Sequence, residues 1–295
     1  NLPITNIYCK QFYLYKRVSK MKIIKSFIIT LFIGISITAF SATALLSGDS
    51  HANDDALKVL FIGNSFTGRS YLPTVLQEIA KANGKKTLFK AEIKNGTSLF
   101  QHWDTGTAQH KISAEKWDYV ILQDSSASAF EHPEKTIKYG VLFAKLVTKY
   151  GAKPLLYNTW AYNGIPNWIE HEQYADIRED FKKFVPNMYQ KTNALYQQIA
   201  DASKSKVVHV AQVWKAMKKI NSSANLHAKD QSHPSPTGTY LTAVVFYKAL
   251  FNEAPKVLPA KLQTQRNQQR MNEMITINID KSLSQQILTA VNSVK

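Results

Sequence analysis

Short apolar runs alternate with segments of helical periodicity along most of the chain. The first run, Ala56 to Ile62, is nearly all apolar, as expected for a strand buried on both faces. From about Tyr71 the apolar residues follow the spacing of one helix face, at Leu72, Val75, Leu76 and Ile79. This alternation predicts a parallel sheet with helices on both sides.

Four further strands are predicted by runs of similar length. They are Leu88 to Ile93, Tyr119 to Gln123, Pro154 to Asn158 and Lys206 to Val210. Between the last two, a helical stripe is formed by Ile177, Phe181, Phe184 and Met188. Pro186 interrupts this stripe and is expected to kink or split the helix, because proline lacks the N–H that a helix interior needs.

The C-terminal part of the pattern predicts two more helices. Ser235 and Pro236 have the chemistry of an N-cap and a first helical position. The helix that follows places Tyr240, Val244, Tyr247 and Phe251 on one face. After Pro255 the composition turns to Gln, Asn and Lys, and a closing helix is predicted by Leu283, Ile287, Val291 and Val294.

The N-terminal residues have a different composition. We interpret residues 1–20, which precede the first methionine, as upstream sequence outside the fold. Residues 21–52 resemble a cleaved secretory signal peptide, with Lys22 and Lys25 before an uncharged apolar run that ends in small residues. An uncleaved membrane anchor is the alternative, since a run of this length can just span a bilayer. Cleavage predicts a periplasmic or extracellular protein without a permanent membrane span, and leaves residues 53–295 as a single domain.

Charge and cysteine content narrow the function classes. The 295 residues carry a net charge of +16, of which about +11 belongs to residues 53–295. Arginine is scarce and no run of five basic residues occurs, so a nucleic-acid partner is not predicted. A lysine-rich solvated surface or an affinity for acidic polysaccharide remain the two interpretations of the charge. The only cysteine is Cys9, which excludes a disulfide and a cysteine-based metal site from residues 53–295.

The segment with the strongest chemical signal is Val59 to Thr67, where a buried strand stops at Gly63 and Ser65 follows immediately. A serine at this position is held rigidly by the strand, and backbone amides at the start of the next helix can stabilise developing negative charge. An ordinary N-cap serine has the same local sequence, so this segment alone leaves both readings open.

A second signal lies near the C-terminus, where Asp230 precedes His233 by three residues. Histidine has a pKa suited to proton transfer near neutrality, and a carboxylate beside it can fix its tautomer. A surface histidine on a loop is the alternative for His233 alone.

Taken together, the two segments resemble the first and last blocks of the SGNH (GDSL-like) hydrolase superfamily in order, spacing and placement. The resemblance implies a three-layer α/β/α fold of flavodoxin-like topology with about five parallel strands, and no cofactor. It also implies that Ser65 is the nucleophile, His233 the base and then the acid, and Asp230 the residue that orients the histidine. Gly96, in the Asn-Gly turn after the second strand, matches the block that supplies a backbone N–H to the oxyanion hole.

Two departures from the family pattern concern the same site. Asn64 stands where the family has an aspartate, and Gln123 is the candidate replacement for the asparagine whose amide donates to the oxyanion. The oxyanion hole is therefore predicted to consist of Ser65, Gly96 and Gln123. The alternative for Gln123 is a hydrogen bond to a neighbouring loop.

Other residues carry weaker signals. Asn158 and Trp160 end the fourth strand at the edge where open α/β folds bind ligands, so they and Asn64 are weak candidates for substrate binding. Aromatic residues that cover the core are an equal alternative for Trp160. The remaining histidines lack the spacing of metal ligands, and no glycine-rich nucleotide motif occurs, so neither a metal nor a nucleotide cofactor is predicted.

The resemblance and the signal sequence together predict a secreted serine esterase that acts on O-acyl esters, especially O-acetyl groups on carbohydrate, through an acyl-serine intermediate. The expected partner is a small-molecule or glycan ester. A lipid esterase or thioesterase with the same three residues and a non-catalytic carbohydrate-binding protein are the alternatives.

Overall fold

The computed structural model describes residues 55–265 and 273–294. Within these residues, five parallel strands form a sheet in the order β2-β1-β3-β4-β5. The strands are β1 Leu57–Gly63, β2 Thr87–Ile93, β3 Tyr119–Leu122, β4 Lys153–Tyr157 and β5 Lys206–Val208. This is the flavodoxin-like strand order, and the predicted fold class is confirmed. The predicted strands are all present, with ends shifted by one or two residues.

Helices connect the strands and close the chain. They are α1 Ser65–Gly68, α2 Leu72–Ala82, α3 Leu99–Thr105, α4 Thr107–Ala114, α5 Ser128–Glu131, α6 Pro133–Lys149, α7 Arg178–Phe184, α8 Met188–Ser203, α9 Val210–Ile220, α10 Pro236–Phe251 and α11 Lys281–Asn292. Pro186 lies in a 3₁₀ turn, Val185–Asn187, that separates α7 from α8, so the predicted helix break is confirmed.

The sheet has a separate hydrophobic core on each side. In β1, Val59 and Phe61 point into one core, while Leu60 and Ile62 point into the other, because successive side chains of a strand face opposite sides. One core contains buried side chains of α2, α9, α10 and α11, and the other contains those of α3, α4 and α6. These two cores make the three layers.

Helix α10 is buried on almost every side rather than along one stripe. Eleven of its sixteen residues are buried, and it packs against α2, α9 and α11. Ser235 caps it, as predicted, by accepting a hydrogen bond from the Gly238 N–H at 3.0 Å. A helix that is apolar all round belongs in a core, and its burial fixes the loop that precedes it.

A second, two-stranded antiparallel sheet was not anticipated from the sequence. It pairs β6, Lys261–Gln265, with β7, Met274–Asn278. The sequence of β6, Lys-Leu-Gln-Thr-Gln, contains a single apolar residue, and β7 alternates only from Ile275 to Asn278, so the signal for a strand is weak at this length. The Thr264 hydroxyl donates to the Ser70 carbonyl at 2.9 Å, which ties β6 to the segment just after α1.

The interpretations of residues 1–20 and 21–52 lie outside the described residues. The described residues belong to one compact unit. Among the helices of the described ranges, none is long and apolar enough to cross a membrane.

Candidate active site

The site lies at the carboxyl edge of the parallel sheet. β1 ends at Gly63, and Ser65 follows as the first residue of α1. The loop that carries Asp230 and His233 precedes the buried helix α10. The two segments are 168 residues apart in sequence, and the sheet edge and α10 bring them into contact.

Ser65, His233 and Asp230 form a continuous hydrogen-bonded chain. His233 Nε2 lies 2.8 Å from Ser65 Oγ, and His233 Nδ1 lies 2.9 Å from Asp230 Oδ2. With Nδ1–H donating to the carboxylate, Nε2 is left to accept the serine proton. This is the geometry of an activated serine nucleophile.

The loop around Asp230 is held largely by its own backbone. Asp230 Oδ1 accepts from the backbone N–H of Ser232 at 3.1 Å and of His233 at 2.9 Å. Gln231 has a φ of 63°, a left-handed conformation that turns the chain between Asp230 and these two donors. One carboxylate oxygen therefore shapes the loop while the other contacts the imidazole.

Arg69 is a neighbour of this site that sequence reasoning missed. Its Nη1 lies 3.0 Å from Asp230 Oδ2, the same oxygen that contacts His233. The backbone N–H of Arg69 donates to the Ser65 carbonyl at 2.8 Å, so it lies one helical turn after the serine. The i, i+4 spacing from Ser65 is the only sequence signal that could have singled it out.

The protonation of the pair is set by opposing effects. Desolvation by burial raises the pKa of Asp230, but the hydrogen bond from the His233 backbone and the charges of His233 and Arg69 outweigh it and lower this pKa to about 2. Burial lowers the pKa of His233, the Asp230 carboxylate opposes that change, and Arg69 adds to it. Near neutral pH the site thus holds a carboxylate and a neutral imidazole.

Asn64 joins the three loops that surround Ser65. Its side-chain oxygen accepts from the Phe66 N–H at 3.1 Å and caps α1. Its amide nitrogen donates to the carbonyls of Thr97 at 3.0 Å and Asp124 at 3.3 Å. The side chain is buried and all its hydrogen-bonding groups are used, so the interpretation of Asn64 as a substrate-binding residue is wrong: it is a structural residue.

The interpretation of Gln123 as an oxyanion donor is also wrong. Its side chain is fully buried, and its two amide hydrogens are directed to Asn64 Oδ1, at 2.9 Å, and to the Asp124 carbonyl. Its oxygen accepts from the Asn64 N–H and the Thr67 hydroxyl, each at 2.9 Å. No hydrogen of this amide is left for an oxyanion. Gln123 instead holds the turn that precedes the nucleophile, in line with the alternative of a hydrogen bond to a neighbouring loop.

Gly96 lies in an exposed turn with a φ of 66°. The turn is closed by a hydrogen bond from the Thr97 N–H to the Lys94 carbonyl, and the Asn64 amide holds it through Thr97. Within the described residues, the backbone N–H groups of Gly96 and Ser65 have no hydrogen-bond acceptor. Gly96 as an oxyanion donor therefore stays a prediction that this geometry permits.

The two substrate-binding candidates after β4 are buried. The Asn158 amide donates to Asn193 and Gln212, which places it in a polar network beneath the surface. Trp160 is 2 % exposed, stacks on Trp214 at 3.7 Å between ring centroids, and donates to the Ser232 carbonyl at 2.9 Å. Both substrate-binding interpretations are wrong. Trp160 covers the core and supports the loop that carries His233.

Two further histidines contact backbone carbonyls rather than Ser65. His102 Nε2 contacts the Gly63 carbonyl at 2.8 Å, and His227 Nε2 contacts the Ala161 carbonyl at 2.9 Å. Burial lowers the pKa of both. In residues 55–265 and 273–294, no three His, Cys, Asp or Glu side chains come together as a metal-binding group.

Comparisons with known proteins find similar folds among solved structures. No protein-family model matches the sequence, and no curated protein matches it either. Among solved structures, a candidate SGNH hydrolase from Slackia heliotrinireducens is 24% identical, with a TM-score of 0.55 over 65% of this chain and 98% of that one. A DUF4886 family protein from Bacteroides uniformis is 17% identical, with a TM-score of 0.61 over 81% of this chain and 94% of its own.

A third similar structure is the lipase/acylhydrolase from Enterococcus faecalis. It is 14% identical, with a TM-score of 0.50 over 68% of this chain and all of that one. At these identities the similarity establishes the fold, and the chemistry has to be argued from the site residues.

Proposed function

We propose that this chain, which has the fold of the SGNH hydrolases, is a serine ester hydrolase. The observation that carries the proposal is the hydrogen-bonded chain from Ser65 Oγ through His233 to Asp230, with contacts of 2.8 and 2.9 Å. A solvated histidine on a surface loop is not expected to lie within hydrogen-bond distance of a serine 168 residues away in the sequence. The neutral imidazole that burial favours is the form needed for a base.

The proposed reaction has two halves. His233 Nε2 removes the proton from Ser65 Oγ as that oxygen attacks the ester carbonyl, and the imidazolium then gives its proton to the leaving alcohol. Water, activated by the same imidazole, releases the acyl group from Ser65. Asp230 keeps Nδ1 protonated and stabilises the imidazolium that forms in each half.

The oxyanion would be stabilised by backbone N–H groups. The Ser65 N–H is the first backbone donor of α1. The Gly96 N–H lies on the turn that the Asn64 side chain contacts through the Thr97 carbonyl. Because the Gln123 amide hydrogens already bond to Asn64 and Asp124, we propose that these two backbone groups bind the oxyanion. Donors that are fixed before reaction are effective, since little reorganisation is needed when the charge develops.

The proposed substrate is an O-acyl ester, in particular an O-acetyl group on carbohydrate, met outside the cytoplasm. Two features support this: the resemblance stated above and the signal-like composition of residues 21–52, which would deliver the enzyme to the cell envelope or beyond.

Hydrolysis of p-nitrophenyl esters tests the proposal. The wild-type protein is expected to hydrolyse the acetate faster than the octanoate, and Ser65→Ala is expected to lower kcat by about 10³-fold or more without changing Tm. Ser126→Ala is the matched control, because Ser126 is also half-buried but its hydroxyl contacts Tyr162 at 2.6 Å and no histidine.

Three results would count against the proposal or redirect it. A preference for octanoate would favour a lipid esterase or thioesterase. Full activity in Ser65→Ala, with phenylmethylsulfonyl fluoride labelling another serine, would refute the assignment of the nucleophile. Absence of turnover on every ester would favour a non-catalytic binding protein.

A further inference from the structure

A cleft of about 780 Å³ lies beside the loop that carries Asp230 and His233. We call it the basic cleft. Its walls include Arg69 and Ser70 from the segment after the nucleophile, residues on both sides of Asp230, and Ile275 from β7. The cleft is separate from the Ser65–His233 contact but shares the Asp230 loop with it.

The charges in the basic cleft are all of one sign. Arg69, Lys218 and Lys229 contribute three cations, and none of the lining residues is acidic. Arg69 contacts Asp230 through Nη1, and a guanidinium has five N–H donors. Concave surfaces lined by charge of one sign concentrate ligands of the opposite sign.

The remaining lining is rich in small polar side chains. Asn163, Asn225, Gln231, Ser70 and Ser223 provide amides and hydroxyls, which can both donate and accept hydrogen bonds. Some of these groups already bond to protein atoms, as Asn163 Nδ2 does to Gln231 Oε1 at 2.8 Å. An acyl chain would displace water from this polar lining without offering hydrogen bonds in return, whereas the hydroxyls of a sugar can both donate and accept them. The lining therefore favours an acidic carbohydrate over an anionic lipid.

The basic cleft begins close to the nucleophile. Arg69 follows Ser65 by four residues in a hydrogen-bonded turn, a rise of about 6 Å along a helix axis. A ligand that reaches both places needs to be larger than the acyl group alone. A sugar whose ester lies at Ser65 can direct a charged group, on the same or the next sugar, toward Arg69.

We propose that the basic cleft binds the anionic group of an acidic carbohydrate whose acyl ester is presented to Ser65. This inference rests on the proposed esterase function and names its substrate class. Arg69 forms the near end of the subsite, where it also contacts Asp230, while Lys218 and Lys229 attract the anion from the outer end. The chemistry is common to a carboxylate and a phosphate, both of which arginine binds with paired hydrogen bonds.

Two O-acetylated trisaccharides test the subsite. Trigalacturonate and trigalactoside differ only at C6, which is a carboxylate carbon in the first sugar and a hydroxymethyl carbon in the second. The wild-type ratio of kcat/KM for the acidic over the neutral ester is expected to fall about fivefold to tenfold in Lys218→Gln/Lys229→Gln. The ratio should also fall in 0.5 M NaCl, because salt screens exposed charges.

The matched control is Lys215→Gln/Lys219→Gln. It removes the same charge from α9, but from two exposed lysines that do not line the cleft. An equal change in the ratio for both double variants would overturn the proposal, because net charge alone would then explain the preference.

A binding measurement keeps this test independent of the esterase proposal. Calorimetric titration with unacetylated trigalacturonate and trigalactoside requires no turnover. Tighter binding of the acidic sugar, weakened in Lys218→Gln/Lys229→Gln, would support the subsite even if no ester were hydrolysed. Equal binding of the two sugars would overturn it. Galacturonic acid and galactose 6-phosphate, used as competitors in the same titration, distinguish a carboxylate from a phosphate.

Discussion

At the scale of single residues, His233 is the group whose surroundings bear most directly on activity. Its side chain is 23 % exposed and contacts Asp230 Oδ2, the carboxylate oxygen that also contacts the Arg69 guanidinium. Burial lowers the pKa of His233 below 6.5, and the Arg69 charge lowers it further. The base form is therefore retained when the solution becomes mildly acidic.

This arrangement predicts the acidic limb of the pH profile. As His233 becomes protonated, the kcat/KM of the wild-type enzyme should fall, with a midpoint below pH 6.5. Arg69→Gln removes a nearby positive charge, so the pKa of His233 rises and the limb moves to higher pH. Arg69→Lys, which keeps the charge, should stay closer to the wild-type profile. If the acidic limb of kcat/KM lay at the same pH in Arg69→Gln and in the wild type, this electrostatic role of Arg69 would be contradicted.

Gln123 gives a second prediction at this scale. Gln123→Ala leaves the Asn64 N–H and the Thr67 hydroxyl without an acceptor in a buried site. An unsatisfied buried donor costs about 1 to 3 kcal/mol, so we expect Tm to fall by about 5 °C or more, together with kcat. Gln197→Ala, an exposed change of the same type, should alter Tm little. A large loss of kcat at unchanged Tm would instead restore Gln123 as an oxyanion donor.

At the scale of elements, the start of α10 fixes the position of the loop that carries His233. Gly238 lies so close to the Leu226 carbonyl and the Trp214 ring that a Cβ atom has no room. Trp214 in turn stacks on Trp160, whose indole N–H donates to the Ser232 carbonyl. The packing of α10 and the position of His233 are thus linked through two tryptophans.

Gly238→Ala is therefore expected to lower both stability and activity. Overpacking a core costs about 1 to 3 kcal/mol, and here one of the clashing groups is a backbone carbonyl that cannot rotate away. Urea denaturation measures the loss of stability, and kcat/KM with p-nitrophenyl acetate measures the displacement of His233. Gly164→Ala is the control, because a Cβ there meets no atom within 4 Å. Equal stability of the two variants would show that the space around Gly238 can relax.

At the scale of the whole molecule, we propose that the protein is exported. Expression from Met21 in a bacterial host should yield a periplasmic or secreted protein whose N-terminus, by mass spectrometry, lies near Asn53 or Leu45. A version that begins with a methionine before Asn53 should stay in the cytoplasm. An intact Met21 on cytoplasmic protein would refute the proposal.

The sequence by itself determined the layout of the fold. Apolar runs of strand length, helical stripes such as that of α2, and the break at Pro186 depend on local chain geometry, so they are readable from neighbouring residues. The contact between Asp230 and His233 is also readable from neighbouring residues. The carboxylate bonds to N–H groups two and three residues ahead, and a spacing of three is therefore enough to place the pair together.

The tertiary structure alone decided which polar side chains remain available for chemistry. Gln123 and Asn64 are 59 residues apart, and Trp160 is 72 residues from Ser232, so no local pattern indicates that these pairs are hydrogen-bonded. Buried polar groups must find partners, and once an amide has them it cannot serve a substrate. Arg69 was missed for the same reason, because its contact with Asp230 exists only where the end of α1 meets the loop before α10.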